Sequence, residues 1–428
     1  MIAALALAFL QVPNAKPTRT TLITPIHTDT FNKGGKAPVR KLGGNPRTVD
    51  GTLIFDGAND GNRQVDPQIT VGGNFVVHAT NLGIIIYDKK GNWIDGTPQT
   101  EFNGGIDPKF VFDIHNRTFA FEHWNPWDKE GLKPMNISVS ETSDPTKAWN
   151  TYPVPTPQGV DGGAIGYSRK WIGCTYPGGP EETFVMKSAD LRSGKPANAY
   201  HFFGSLGHPV FVQDRIDDLY FAYLTNQEII ITRVSEDADG APYIAEVVRK
   251  PHFIANFGYP PQSPMKGVTQ RTASGDRNPK NVVLQSGSLW FSQTVNVNNR
   301  AAIRWHQFKL DGTRVQSGLI ADSDSSYIQT TIAVNKQNDV LVGFQETSPS
   351  MFISARAAIR QVNDRPGTLS PFLKLAEGVA ATEGGAWGDY SGSVVDGDNL
   401  LDLWTIQSVA NAQGKGSTVI AKVQMRKR

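Results

Sequence analysis

Seven times along the chain, a polar or acidic residue opens a run of small and β-branched side chains. The runs are DPQITVGG from Asp66, DPKFVFD from Asp107, DGGAIGYS from Asp161, HPVFVQD from His208, NPKNVVLQ from Asn278, QTTIAVN from Gln329 and DYSGSVVD from Asp389. A turn follows each run, and then a second run carries Phe75, Phe119, Trp171, Tyr220, Trp290 or Trp404, with Val340 and Leu341 in the remaining repeat. Subtracting successive start numbers gives steps of 41, 54, 47, 70, 51 and 60 residues. Units that repeat on this scale do not bury their apolar faces alone; they stack on one another.

The runs are strands, not helices. Stretches such as NFVVHAT, GIIIYDKKGN, DLYFAYL, EIIITRV, SLWFSQT and STVIAKVQM are β-branched and aromatic, and Gly, Asn and Asp punctuate them. That is the pattern of many short antiparallel strands. With 42 Gly, 27 Pro and 10% aromatic residues the chain is rich in turns and flat apolar rings, as an all-β fold requires. Seven similar units need a closed ring to hide their strand edges, which disfavours an open array of sandwiches.

The expected fold is therefore an all-β propeller of about seven blades, each of four antiparallel strands, with six blades as the alternative if one repeat is false. Small side chains suit the innermost strand beside the axis, and aromatics suit the wider space of the second strand. The last repeat has few strands after Trp404, so TLIF at Thr52 to Phe55 is expected to complete it. Residues 52–428 then form one propeller domain, preceded by a polar lead over 16–51. Ile2 to Leu10 is an unbroken apolar run, too short to span a bilayer. It reads as the core of a signal peptide over 1–15 and implies a secreted or periplasmic protein.

The formal net charge of +2 gives no field for nucleic acid, and the only basic cluster is the terminal Arg426, Lys427 and Arg428. Cys174 is the single cysteine, which excludes an intrachain disulfide and a Cys-x-x-Cys zinc knuckle. It sits in the apolar run KWIGCTYP and reads as a buried, inert thiol.

Several stretches carry a resemblance: DPQITVGGNFVVHATNLGIIIYDKKGN, DPKFVFDIHNRTFAFEHW, VSETSDPTKAWNTY, AAIRWHQFKLDG, TTIAVNKQNDVLVGF and WGDYSGSVVDGDNLLDLWTI. Together they resemble a largely uncharacterised family of secreted bacterial β-propellers with sialidase-like architecture, from Asp66 to the end of the chain. The resemblance implies fold and export, not a reaction. SETSDPTKAW, from Ser140 to Trp149, only echoes the Asp-box of sialidases proper. Arg63, Arg271, Arg277 and Arg300 match no arginine-triad motif, so sialidase activity specifically is not expected.

Inner strands of a propeller run parallel, so their starts share one mouth. Asp66, Asp107, Asp161, His208, Asn278, Gln329 and Asp389 are expected to ring it. One reading makes two of the carboxylates Asp66, Asp107, Asp161 and Asp389 a catalytic acid and base acting on a glycosidic bond. Asp66 in its Asp-Pro start resembles the general base of arabinanase- and xylosidase-type hydrolases, although no blade offers the Glu that those enzymes use as acid. A second reading places a calcium ion on the axis. In the third, each Asp caps a turn. His208, Asn278, Gln329 and Tyr390 would bind substrate, and Trp124 and Trp127 in EHWNPWDKEG either stack on sugar or pack their loop. His115, His123, His201 and His306 lack metal-ligand spacing and read as ordinary strand or surface residues. No cofactor is required. The function expected is binding or processing of an extracellular glycan by a monomer without a membrane span. The alternative is a non-catalytic scaffold that presents its face to a protein or cell-surface partner.

Overall fold

The computed structural model describes residues 12–28, 46–58, 61, 64–81, 83–125, 134–156, 162–176, 183–255, 258–275 and 277–425. Among them the chain is all-β, with strands gathered in successive antiparallel meanders. No helix among the described residues is long and apolar enough to cross a membrane.

Four-strand meanders recur seven times. The first runs Gln68–Gly72, Phe75–Ala79, Gly83–Asp88 and Trp93–Pro98. The second runs Ile106–Asp113, Thr118–Trp124, Met135–Ser140 and Trp149–Val154, and the third Ala164–Tyr167, Trp171–Thr175, Thr183–Lys187 and Ala197–Phe202. The fourth spans His208–Val212 to Pro242–Pro251, the fifth Val282–Gln285 to Arg314–Ile320, and the sixth Ser326–Val334 to Leu373–Ala376. In the seventh, Gly392–Val395, Leu403–Ala410 and Gly416–Val423 are joined by Thr52–Asp56 from the other end of the chain. Phe55 there pairs with Ile420.

Local chemistry explains the tight turns. Between Gly83–Asp88 and Trp93–Pro98, the Asp88 carboxylate accepts the N–H groups of Lys90 and Asn92, and Gly91 takes φ +86°. Burial explains why the strands read as apolar runs rather than alternations: Ile84, Ile85 and Ile86 all lie inside, because each meander is covered on both faces by its neighbours. Trp290 and Trp305 pack with Ile332 and Phe344 between the fifth and sixth meanders. The seventh meets the first in the same way, with Phe55, Trp404, Ile406 and Ile420 against Val76, Ile85 and Tyr87.

The first strands of the meanders lie beside one another. Val210, Phe211 and Val212 pair in parallel with Val282, Val283 and Leu284, and Tyr167 pairs in parallel with Phe211. Between the seventh and first meanders the approach is close: a Cβ on Gly392 would lie 2.9 Å from Ile69 Cγ2. The arrangement is propeller-like, and every aromatic assigned to a second strand falls on one.

The segment 16–51 was expected as a lead outside the domain. Its described parts are edge strands. Arg19–Ile23 pairs with Ala197–Phe202, Ile26–Thr28 with Trp149–Val154, and Arg47–Val49 with Thr52–Asp56. The outermost strand of each meander otherwise leaves a row of unpaired backbone groups, and these segments cover three such edges. Most of the expected signal peptide, residues 1–11, lies outside the described residues.

Candidate functional site

Two long connections gather at one end of the meanders. One runs from Pro251 to Val282 and the other from Ala376 to Gly392. They join where Thr272 bridges Gly385 in parallel and the N–H of Ala273 donates to Gly385 O. Met265 from the first connection and Trp387 from the second share an apolar cluster with Ile328 and Ile353 of the sixth meander. The joined connections therefore cover the sixth meander at this end. Beyond the cover, each delivers polar side chains to a cavity of about 440 Å³. Asn278 and Lys280 come from one and Asp389 and Tyr390 from the other, and Lys109, Tyr176, His208 and Tyr223 complete the charged and aromatic lining.

The stretch AWGDYSG is held from three sides. Trp387 Nε1 donates to Gln345 Oε1 at 2.8 Å, Gln329 Nε2 donates to Gly388 O at 2.6 Å, and Ser391 Oγ donates to Gln329 O at 2.5 Å. On the fourth side, the N–H of Asp389 donates to Asp66 Oδ1 at 2.6 Å. With its backbone fixed, the segment turns the exposed Asp389 side chain and the half-buried Tyr390 toward the cavity.

The expected ring of polar residues is only partly realised. His208, Asn278, Asp389 and Tyr390 meet at the cavity. Asp66 does not line it: the residue is 3% exposed, and its second oxygen accepts Asn81 Nδ2 at 2.6 Å. Asn81 Oδ1 in turn accepts the N–H of Asp107 at 3.0 Å, so Asp66 and Asn81 link the seventh, first and second meanders. Asp107 is buried and does not line the cavity. Gln329 lies within Ser326–Val334 at a register shift, with φ +52°, and acts as a brace for Gly388. Asp66 and Asp107 share that left-handed backbone, at +48° and +54°. Trp124 does not line the cavity either. It ends a strand opposite Met135 and packs on the apolar cluster between the second and third meanders. Asp161 and Trp127 lie outside the described residues.

A glutamate was expected to be missing, and the structure places one here. Glu122, on Thr118–Trp124, pairs across the strands with Lys109. It is 1% exposed, and its Oε2 has no hydrogen-bond partner. Its carboxyl lies directly under Gly163, a cavity-lining residue where a Cβ would come within 2.3 Å of both carboxyl oxygens. Burial pushes the Glu122 carboxyl up to about 8, only partly offset by the Lys109 ammonium. The acid is therefore protonated at neutral pH.

Lys109 responds to the same environment. Burial lowers it to about 8, against the pull of Asp107, Glu122 and Asp66. Its Nζ donates to Asp107 O at 3.2 Å and stands 3.1 Å from the Tyr390 ring centroid, with Lys280 Nζ at 5.2 Å from the same ring. Burial raises the Tyr390 hydroxyl well above its ordinary value, and the surrounding carboxylates add to this, so the phenol stays neutral. Burial takes His208 down to about 4, so it too is neutral near pH 7. Asp66 is raised by burial, which its hydrogen bond from Asp389 opposes.

Both Asp66 oxygens accept N–H groups, an ammonium stands near Asp66, Asp107 and Glu122, and no three His, Cys, Asp or Glu converge among the described residues.

Glu122 and Lys109 escaped the sequence reading because each looked like one charge in an apolar strand. The signal was their cross-strand register, since a charge in TFAFEHW facing one in DPKFVFD forms a buried pair of positions.

No protein-family model matches the chain, and no curated protein matches it. Among solved structures it is similar to an endo-arabinase from Bacteroides thetaiotaomicron, at 10% identity over 75% of this chain and 94% of that one, with a TM-score of 0.33. An alpha-L-arabinofuranosidase from Fusarium graminearum, solved with an iminosugar inhibitor, matches at 7% identity over 95% and 98%, with a TM-score of 0.35. The WD40 domain of SCAP from fission yeast matches at 10% over 94% and 97%, with a TM-score of 0.36. Likenesses this loose decide neither the fold nor the chemistry.

Proposed function

We propose that the seven meanders are the blades of a closed seven-bladed β-propeller, and that the cavity at its mouth binds and cleaves a glycan. The observation that carries this reading is the buried, unpartnered Glu122 carboxyl beneath Gly163, a residue that lines the same cavity as the exposed Asp389. A glycosidic bond needs such a pair, one carboxyl that keeps its proton and one that has lost it. Glu122 gives its proton to the leaving oxygen as the C–O bond breaks. Water adds to the sugar carbon and Asp389 takes the proton that the water loses. Tyr223 and Tyr390 supply flat rings, and His208, Asn278 and Lys280 supply polar contacts to hydroxyls. The apolar run from Ile2 to Leu10 supports export to where polymeric glycans are met.

The test is release of reducing ends from a panel of plant, algal and bacterial polysaccharides. Release that Glu122→Gln abolishes, with the fold intact, supports the reading. Absence of release from the whole panel, together with capture of a protein partner by the full chain, overturns it in favour of an interaction scaffold.

A further inference from the structure

The cavity does not end at its own rim. Tyr223, the penultimate residue of the strand Leu219–Leu224, lines the cavity and is 39% exposed. Asn226 follows three residues later, and its Oδ1 lies 3.5 Å from Arg277 Nη1. Arg277 immediately precedes Asn278, itself a lining residue. The Arg277 guanidinium also lies over the Tyr259 ring, with Cζ 4.6 Å from the ring centroid.

Tyr223, Arg277 and Tyr259 thus form an arc leading outward from the cavity over the fourth and fifth meanders. Its backbone is anchored. Arg277 O accepts Gln293 Nε2 at 2.8 Å, and Gly258 O accepts the N–H of Asn296 at 3.2 Å. Tyr259, next to the anchored Gly258, nevertheless remains 67% exposed. Among the described residues the Arg277 fork has a single side-chain hydrogen-bond partner, the long one to Asn226.

We propose that this arc is an outer subsite for the next units of the glycan whose end occupies the cavity, and that it selects units bearing a carboxylate. This rests on the glycan reading above. A tyrosine ring presents an apolar face that matches the C–H face of a pyranose. An arginine fork presents parallel donors that match a carboxylate, a geometry that lysine lacks. Together the two recognise an acidic sugar, such as a uronate, in a chain that continues out of the mouth. Neither contact belongs to the proton-transfer pair, so they supply length and charge preference, not turnover.

The experiment is calorimetric binding to the full chain of oligogalacturonate and oligoguluronate ladders of increasing length, with neutral xylo- and cello-oligosaccharide ladders beside them. The expected result is affinity that rises with length on an acidic ladder more steeply than on either neutral one. Tyr259→Ala and Arg277→Gln should each remove about five- to tenfold of the affinity for the longer acidic chains and leave the shortest members unchanged. Equal rises on acidic and neutral ladders, or full affinity in both variants, overturns the subsite while leaving the glycan reading in place. Binding to none of the ladders overturns the acidic subsite; reducing-end release from another glycan then keeps the broader reading, and its absence removes both.

Discussion

Asp66 accepts the backbone N–H of Asp389 at 2.6 Å, joining the start of the first meander to the start of the last across 323 residues of chain. The same carboxylate holds Asn81, which holds Asp107. Two aspartates that look alike in sequence therefore do different work. Asp66 is a buried clasp, and Asp389 carries its side chain into the open cavity. Asp66→Asn keeps the shape but loses one strong acceptor and sets a donor against a donor. Its cost should be about 1–3 kcal/mol, seen as a lower thermal midpoint. Turnover per folded molecule should persist. Lost turnover at unchanged stability would give Asp66 a chemical role instead.

The seventh meander also depends on Phe55, which is fully buried on the strand supplied from the other end of the chain. It packs at 5.3 Å from Tyr87 of the first meander, as well as against the seventh. Phe55→Ala should cost about 3–5 kcal/mol, the range for emptying a packed aromatic site. The drop should appear as one cooperative shift in urea midpoint. Thr48→Ala, on the exposed neighbouring strand, serves as the control and should change little.

The repeat was legible because six of the seven first strands have a polar or glycine residue in the left-handed region at or near their start, namely Asp66, Asp107, Gly162, Gly207, Gln329 and Gly388. The second-strand aromatics were legible because burial between two meanders demands them. Even the strand that joins the seventh meander from the other end of the chain could be read, from the shortage of strands after Trp404. The site was much less legible. Whether a polar residue at a strand start faces the cavity or a neighbouring backbone depends on one or two residues of offset. Asp66 falls two positions before its strand and turns inward, whereas Asp389 falls three before its own and turns out. The cavity wall is built by two long connections whose union at Thr272 and Gly385 has no local sequence signature. Glu122 becomes notable only once Gly163, from another meander, is laid over it.

Glu122 makes a prediction with a definite sign. Its folded value of about 8 lies above the ordinary carboxylate value of 4.5, so the folded chain keeps a proton that the unfolded chain loses. Between pH 4.5 and 8 this group makes the fold progressively less stable as pH rises. Glu122→Gln removes the effect, so the variant should gain thermal stability over wild type at pH 8 and gain little at pH 5. Activity should show the complementary trend, failing on the alkaline side as the wild-type acid titrates near pH 8. Gly163→Ala forces a methyl against the carboxyl, and should lose turnover as well as about 1–3 kcal/mol of stability. A wild-type rate that is flat through pH 9 would remove Glu122 as the proton donor.

On the acid side the buried histidines act in the opposite direction. His306 sits fully inside the fifth meander, its Nδ1 2.9 Å from Ser317 Oγ and its ring against Phe291. Burial lowers it to about 3, and nearby arginines add to the shift. His78 and His208, at about 4, and His123, at about 3, are lowered for the same first reason. A depressed histidine binds its proton in the unfolded chain before it does so in the folded one. The neutral ring's stabilising difference is whole above pH 6.5 and is lost as pH falls toward the folded value. Each such group steepens the acid limb by about 1.4 kcal/mol per pH unit. His306→Gln keeps a partner for Ser317 and cannot titrate. Its urea-derived stability should therefore fall less steeply than wild type between pH 6 and pH 4, by about one proton's worth of slope. The difference between the two curves isolates His306 from Glu122, whose raised value works against it in the same range. Parallel curves would mean that the imidazole gains its proton equally well in the folded chain, contrary to the dry pocket around it.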